Sequence, residues 1–570
     1  MTWLADALAW LAARDARFWI LAWLLFGLHV AVFLWPVPSG AGWRRWIRPA
    51  AFAGTLLLLI FGFRWPGIAQ NEELQNPDES QLIASALTMA DTGRYWGRID
   101  GATTGPLAPL PLAVPKLLGF RVDYVCAHAV QAFLLWGAVL CVWRIFAHYF
   151  GERAAPWLTL PLTCGVAFTH FWDFVQYSSE QAPIFFIALA LWLLCTAFDS
   201  VARAIVSPYR LAAAGFVLGL LPFSKLQVVP LGLVIAVTGL VWIASNGEAR
   251  PARLRAAGLL LGGAAGALLL VALSVVARGG WSDFLETYVR NNLHYTAARL
   301  YPWRDFPGAL DALVGDSWGF PYFYYACALL VALGLPWWPG LLRERRRILG
   351  LTGALFGAGF FVVVAGGHRS QHYLQLLWVP MALHAGVLWG SLANPPPVFR
   401  GPSLGWRPLL VWLVFLAVGV GPQLYYRTHD WNPYLEPFRQ YRGRMPERRV
   451  ADRILAFARP GDAMSIWGWA PKFHVQTQLP HATSESNAER QISPGPLRPY
   501  FRARFLRELQ ARPPAIFLDA VGPGNFGYHD RAIDGHETIP ELKALVAARY
   551  ALVDDLEGTR IYVRRDRLNP

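Results

Sequence analysis

Long apolar runs limit what this chain can fold into more than any other feature of its sequence. A helix of about 20 predominantly apolar residues is long enough to cross a bilayer, and about twelve runs of roughly that length follow one another along the chain. Only 15% of the 570 residues are charged, whereas a soluble globular chain carries roughly 25%. The sequence therefore predicts a polytopic α-helical membrane protein and excludes a nucleic-acid-binding protein. The predicted spans are 18–37, 50–66, 123–148, 156–172, 181–199, 210–224, 226–245, 257–277, 318–339, 349–367, 372–390 and 408–425.

The basic residues indicate which loops face the cytoplasm. The formal net charge is +14, but most arginines lie in short loops between the apolar runs, such as Arg44–Arg45 and Arg343–Arg347. Short loops rich in Lys and Arg stay on the cytoplasmic side of a membrane. We therefore expect a multi-pass protein of a bacterial inner membrane, with the remaining loops on the external, periplasmic face. Those loops are 67–122, 173–180, the turn at Lys225, 278–317, the turn 368–371 and everything after about 426.

The composition changes after about residue 426, where a charged segment punctuated by prolines replaces the apolar runs. We therefore divide the chain into a transmembrane domain, 1–425, and a small extracytoplasmic α/β domain, 426–570. The C-terminal segment contains no glycine-rich motif that would cradle a phosphate, so we expect no nucleotide there. Its patterns predict helices 447–458 and 540–548, strands Met464–Trp467 and Ala515–Asp519, and a hairpin through Gly558–Val563.

Polar and ionisable residues collect in four external segments. Asn76–Gln81 follows the second span, Tyr177–Gln181 precedes the fifth, Ser224–Gln227 separates two short runs, and Gly367–Tyr373 opens the eleventh. Placing ionisable groups in so apolar a membrane protein costs free energy, so such groups commonly mark a functional site. These four segments are therefore the candidate site.

Structural roles explain parts of this pattern. Asp78 with Gln81 fits a capping box, as does Ser178 with Gln181. Glu180 would favour the N-terminal dipole of its helix, and Lys225 would reach lipid headgroups. His368, Arg369 and His372 would form an interfacial cluster without a ligand.

The common sidedness of these groups favours a catalytic interpretation. The carboxylates of Asp78, Glu79 and Glu180 are predicted on the same face of the membrane as the cations Lys225 and Arg369. A cavity lined by both negatively and positively charged side chains suits a reaction in which a hydroxyl loses a proton and a phosphate leaves. A carboxylate would take the proton, and the cations would hold the phosphate.

With these motifs the chain resembles the GT-C superfamily of polyprenyl-phosphate-sugar glycosyltransferases, in the branch with protein O-mannosyltransferases and the lipid A aminoarabinose transferase. Members carry an acidic pair just after a span at the start of a long external loop, here Asp78-Glu79. The other motifs of the resemblance are Gly105-Pro106-Leu107, Ser179-Glu180, Lys225 with Gln227 and Pro230, His372-Tyr373 with Pro380, and the segment Trp467–Pro471.

The resemblance implies a donor in which one sugar is joined through a single phosphate to a polyprenyl chain. Asp78 would be the general base for an acceptor hydroxyl, and the attack would invert the anomeric carbon. Glu79 and Glu180 would orient sugar or acceptor hydroxyls. The other implied roles are the phosphate cluster Lys225, Arg369, His372 and Tyr373, and a substrate pocket with a lid in 281–305, namely Tyr288, His294, Tyr295 and His368.

No cofactor is required by these residues. Asp78 and Glu79 are able to bind Mg²⁺ or Mn²⁺, but two adjacent carboxylates rarely complete an octahedral site. The expected partners are the lipid bilayer, the lipid-linked donor, and an acceptor that is a glycolipid, a polysaccharide or a protein. The sequence does not name the sugar.

A transporter or flippase of lipid-linked or anionic substrates is the alternative. Such proteins have internal repeats and polar residues at the membrane midplane, whereas the two halves of this chain are dissimilar and its ionisable groups lie at the external mouths of the spans. A non-catalytic scaffold would leave the placement of Asp78, Glu180 and Lys225 unexplained.

Overall fold

A computed structural model describes the helical bundle and the C-terminal unit of the chain. Among the residues that the structure describes, six helices are long and apolar enough to cross a membrane, and four further apolar helices are shorter. The predicted count of about twelve spans stays a prediction, because the last, 408–425, lies almost wholly outside the described residues. The described residues are 2–34, 44–71, 77–199, 204–297, 302–317, 319–335, 343–365, 370–393, 421, 426, 432–442 and 448–568.

The described helices follow the predicted apolar runs closely, with shifts at their ends. Pro251 occupies the first turn of its helix, where its missing N–H costs nothing, so that helix begins at Arg250 instead of 257. The eleventh run starts as a 3₁₀ segment, Gln371–Leu377, and becomes α-helical only at Trp378. The main helices up to residue 393 are Thr2–Ala12, Asp15–Leu34, Arg44–Ile68, Pro77–Thr92, Leu110–Leu117, Tyr124–Phe150, Ala155–Ala167, Gln181–Thr196, Pro208–Leu220, Val229–Ala244, Arg250–Ala277, Phe306–Gly315, Phe320–Gly334, Arg343–Val364 and Trp378–Ala393.

The apolar surface of the bundle fits a bilayer. Helix Arg250–Ala277 has only 17% of its most apolar window buried in protein, and it exposes Leu261, Leu269 and Leu273 by more than half of their surface. Such a leucine-rich face would be costly in water, whereas lipid chains accommodate it.

The C-terminal unit contains a small mixed sheet. Its strands are β1 Met464–Trp467, β2 Ile516–Asp519, β3 Tyr550–Leu556 and β4 Thr559–Arg564. Their order in the sheet is β1-β2-β4-β3; β1 pairs in parallel with β2, and β4 pairs antiparallel with both of its neighbours. The predicted strands and the hairpin are confirmed, but helix Arg498–Ala511 was not predicted. The main helices of this unit are Leu435–Arg442, Arg449–Leu455, Lys472–Thr477, Arg498–Ala511 and Pro540–Arg549.

The C-terminal unit packs against residues 77–122, which belong to the stretch 67–122 that the sequence predicts as the first external loop; we keep that name for them. Asp100 N–H donates to Ser484 O at 2.8 Å, and His481 N–H donates to Thr88 Oγ1 at 3.0 Å. The division of the chain at 425/426 stays a prediction. Just beyond it, Tyr434 packs with the bundle, where its hydroxyl donates to Phe168 O at 2.7 Å.

Candidate active site

A cavity of about 410 Å³ opens between the bundle, the first external loop and the C-terminal unit. Three of the four polar segments predicted from the sequence contribute to its wall through Asp78, Ser179 and Lys225, and the described part of the fourth contributes His372 and Tyr373. The full lining is Asp78, Gln81, Leu82, Ser85, Gly101, Ala102, Thr103, Thr104, Gln176, Tyr177, Ser178, Ser179, Lys225, Tyr295, Ser370, His372, Tyr373, Trp469, Asn487, Glu489 and Arg490.

Lys225 is held on the cavity wall by three neighbours. Its ammonium group forms an ion pair with Glu180, donates to Ser179 Oγ at 2.9 Å, and lies 4.4 Å from the centroid of the Tyr373 ring. Burial alone would raise the pKa of Glu180, but the charges of Lys225 and His372 lower it to about 2. Glu180 is therefore ionised, and with Ser179 it fixes the position of the Lys225 ammonium group.

The position of Lys225 follows from a tight backbone contact with the first external loop. Lys225 lies between the 3₁₀ turns Leu221–Phe223 and Leu226–Val228. Gly105 N–H donates to Ser224 O at 3.0 Å, and Thr104 forms a β-bridge with Lys225. A Cβ at Gly105 would lie 2.1 Å from the Phe223 carbonyl oxygen, so only glycine permits this approach.

His372 is paired with Asp173, a residue that the sequence analysis did not select. The His372 backbone N–H donates to Asp173 Oδ2 at 2.7 Å, and Nδ1 lies 3.1 Å from the same oxygen. Glu180 Oε2 is 4.0 Å from Nε2 on the other side of the ring. Burial alone would lower the pKa of His372, but the charges of Asp173 and Glu180 raise it to about 9. The available signal for Asp173 was an acidic residue directly after a predicted span.

Asp78 faces the cavity from the first turn of helix Pro77–Thr92. Asp78 is an exposed residue that lines the cavity. Desolvation raises the pKa of Asp78, the cations His372 and Lys225 oppose the rise, and Glu180 adds to it. Asp78 is therefore a carboxylate with a stronger proton affinity than a solvated aspartate, close enough to the two cations to interact with them.

Glu79 does not line the cavity, although the sequence paired it with Asp78. Its carboxylate accepts the Tyr177 backbone N–H at 2.7 Å and lies 3.1 Å from His128 Nε2. Successive residues of a helix project in different directions, so the acidic pair does not present two carboxylates to one point. Glu79 fixes the segment that carries Ser179 and Glu180.

The predicted lid residues occupy different environments. Tyr295 lines the cavity and its hydroxyl is hydrogen-bonded to Tyr373. Tyr288 is buried instead, 5.6 Å from Trp96 between ring centroids, and donates to Pro222 O at 2.5 Å. His294 is exposed and does not line the cavity. The predicted residues His368 and Arg369 lie outside the described residues.

The C-terminal unit supplies one wall of the cavity, which was not expected from the sequence at residue level. Trp469, from the segment Trp467–Pro471, and Glu489 and Arg490, from a short helix, contribute to it. Arg490 Nη2 is 2.7 Å from Asp100 Oδ1, so the first external loop holds this wall in place. The signal available in the sequence was the segment Trp467–Pro471, which carries two tryptophans.

The cavity combines the groups that a proton-coupled displacement of a phosphate requires. A carboxylate of raised pKa accepts a proton readily near neutral pH. Two fixed basic groups on the cavity wall, Lys225 and His372, are placed to stabilise negative charge that develops there.

Solved structures resemble this one, although the sequence matches no protein-family model and no curated protein. The structure of ArnT from Cupriavidus metallidurans bound to undecaprenyl phosphate matches with a TM-score of 0.54 and 13% identity, over 90% of this chain and 97% of that one. ArnT from the same organism in the apo state matches with a TM-score of 0.52 and 14% identity, over 90% and 98%. The chain therefore shares the fold of these two ArnT structures.

Proposed function

We propose that this chain is an integral membrane glycosyltransferase that moves a single sugar from a polyprenyl phosphate to an acceptor hydroxyl on the external face of the membrane. The observation that carries the proposal is the convergence of Asp78, Lys225 and His372 on one cavity. The likeness to ArnT, which was crystallised with undecaprenyl phosphate, supports a lipid phosphate as the carrier.

Asp78 acts as the general base. Its carboxylate accepts the proton of the acceptor hydroxyl while the hydroxyl oxygen attacks the anomeric carbon of the donor. The bond between that carbon and the phosphate oxygen breaks, and the phosphate leaves with the electron pair. Attack opposite to the leaving group inverts the anomeric carbon.

Lys225 and His372 neutralise the leaving phosphate. An ammonium group has three N–H donors, and Glu180 and Ser179 account for two of those of Lys225. The third is directed to a phosphate oxygen, and the imidazolium of His372 supplies a second positive charge. A phosphate monoester has a second pKa near 6, so it leaves without needing a general acid.

The remaining acidic residues position these groups. Glu180 orients Lys225, Asp173 orients His372, and Glu79 fixes the segment at Tyr177. No metal is needed in this scheme, because the two side-chain cations stabilise the charge that a divalent ion would otherwise stabilise. Transfer is therefore expected to continue in excess EDTA.

A donor-panel assay tests the proposal. Purified full-length protein in detergent is incubated with undecaprenyl phosphates that each carry one radiolabelled sugar, together with envelope glycolipids, polysaccharides or proteins as acceptors. We expect one donor to release undecaprenyl phosphate as its label moves to an acceptor. In proteoliposomes, movement of an intact donor across the membrane without loss of its sugar would favour a flippase instead.

Topology is tested separately. We propose that the C-terminal unit is periplasmic, at the inner membrane of a bacterium. Alkaline phosphatase fused after residue 570 is then expected to be active, and green fluorescent protein fused at the same place to be dark. The opposite pair of results would put the cavity on the wrong side for an external acceptor.

A further inference from the structure

Two buried donors on the C-terminal wall of the cavity have no hydrogen-bond acceptor among the described residues. They are the indole Nε1–H of Trp469 and the Nη1 group of Arg490. Both residues line the cavity, and the Arg490 side chain is only 14% exposed. Buried polar groups are almost always paired in a folded protein, so unpaired donors on a cavity wall indicate a ligand that accepts hydrogen bonds.

Both side chains are held in place by neighbours. Arg490 is anchored by Asp100 through Nη2 and lies 4.5 Å above the ring of Phe501. Trp469 packs edge-on against Phe526 at 5.0 Å, and the two backbones form a β-bridge. Groups fixed before binding lose little conformational freedom when a ligand arrives.

The local charge favours a neutral polyhydroxyl ligand over an anion. The Arg490 guanidinium is already neutralised by Asp100, and the carboxylate-bearing Glu489 lines the same wall. Asn487 adds an amide, which is 3.3 Å from Gln81 Oε1 across the cavity. An indole ring beside amide, guanidinium and carboxylate groups matches the surface of a sugar, which presents apolar C–H faces and hydroxyls that both donate and accept.

We propose that Trp469 and Arg490 form a saccharide-binding subsite at the external end of this cavity. The proposal deepens the proposed function and rests on it for the source of the saccharide, which is either the sugar of the donor or a sugar of the acceptor. Saccharide binding itself does not depend on transfer. The two sources share one chemistry and are separated by experiment.

Saturation-transfer difference NMR tests binding directly. The probes are methyl α-D-glucopyranoside, methyl α-D-mannopyranoside and N-acetyl-D-glucosamine, added to full-length protein in detergent. We expect saturation transfer from the wild type to at least one probe and at least a fivefold loss in Trp469→Ala and Arg490→Gln. If Trp469→Ala folds poorly, Trp469→Phe replaces it. Trp469→Phe keeps an aromatic ring but lacks the indole N–H, so it should retain only part of the wild-type signal.

Trp10→Ala and Arg507→Ala are the matched controls, because Trp10 is 59% exposed on helix Thr2–Ala12 and Arg507 is exposed on helix Arg498–Ala511. Both should keep the wild-type signal. Equal signals from the wild type and the folded Trp469 and Arg490 variants, or no saturation transfer to any probe, would overturn the subsite.

Steady-state kinetics identifies the source. A tenfold rise in KM for the donor alone in Trp469→Ala assigns the subsite to the donor sugar. A rise in KM for the acceptor alone assigns the subsite to the acceptor. No change in either KM overturns the inference. If the donor panel shows no transfer but the glycosides bind through Trp469, the subsite stands and the proposed function fails.

Discussion

The ammonium group of Lys225 and the carboxylate of Glu180 form an ion pair that is almost fully buried, with side-chain exposures of 5% and 0%. The two residues are separated by 45 positions in sequence. A buried charge is costly unless it is paired, so each residue requires the other. Because Glu180 and Ser179 fix the ammonium group, Lys225 would need little reorganisation to contact the phosphate of the proposed donor.

Asp78→Asn should abolish transfer without preventing donor binding. The amide keeps the size of the side chain but cannot accept the proton, and general base catalysis typically contributes about 10²–10⁴-fold. We expect kcat to fall by at least about a hundredfold, measured as label transfer in the donor assay. Asp91→Asn is the control, because Asp91 is exposed on the same helix. Normal turnover by Asp78→Asn would remove Asp78 from the role of base.

Lys225→Met should weaken the binding of undecaprenyl phosphate by roughly ten- to a hundredfold, because that is the usual contribution of a hydrogen bond to a charged group to binding affinity. Binding is measured by microscale thermophoresis in detergent, with Lys543→Ala, an exposed lysine of the C-terminal unit, as the control.

The single variant also leaves Glu180 buried without its partner, so part of its effect would be structural. The double variant Lys225→Met, Glu180→Gln removes both charges and should recover thermal stability without recovering affinity. Recovery of affinity in the double variant would contradict a phosphate-binding role for Lys225.

The pH profile of kcat/KM should be bell-shaped. Activity rises as Asp78 loses its proton, and desolvation raises the pKa of Asp78, so the acidic limb lies above the usual range of an aspartate. Activity falls as His372 loses its positive charge, near its pKa of about 9. His372→Asn should lower the maximum and remove the alkaline limb, whereas His529→Asn, at an exposed histidine, should change neither limb. An alkaline limb that persists unchanged in His372→Asn would assign it to another group.

Gly105→Ala should displace Lys225 although it changes no charged residue. The new Cβ would lie 2.1 Å from the Phe223 carbonyl oxygen, and since the clash is with backbone, the turn that carries Lys225 must move. We expect weaker undecaprenyl phosphate binding in the same thermophoresis assay. Gly258→Ala has open space around its Cβ and serves as the control. Wild-type affinity in Gly105→Ala would mean that the turn 103–107 does not position Lys225.

Much of the fold was predictable because apolar runs and turn residues are local signals. Strand β1 has the predicted bounds, and the hairpin of β3 and β4 turns at Gly558, as predicted. Helix Arg498–Ala511 was missed because its arginines mask an apolar stripe. That stripe, Phe501, Phe505 and Leu509, repeats every four residues and was the available signal.

The candidate site was predictable only in part. The local sequence indicates the face of the membrane on which a residue is expected, but it does not indicate which distant side chain that residue contacts. The charge pattern placed Lys225 and Glu180 on one face, and the structure joins them. No local pattern indicates that His372 pairs with Asp173, 199 positions earlier, or that Arg490 reaches Asp100. Glu79 was assigned to the site because it adjoins Asp78, but the helix turns its side chain toward His128.

Arg504→Met should loosen the C-terminal unit from the first external loop. The Arg504 side chain is 2% exposed and pairs with Asp100 of the loop and with Glu485 of its own unit. Removing the guanidinium leaves both carboxylates buried with less compensation, and breaking a buried ion pair costs about 3–5 kcal/mol. We expect a lower Tm by differential scanning fluorimetry and faster proteolytic release of the C-terminal unit. Arg507→Met, at an exposed position on the same helix, should have the wild-type Tm. Equal melting and proteolysis of Arg504→Met and the wild type would contradict the conclusion that this network holds the C-terminal wall of the cavity in place.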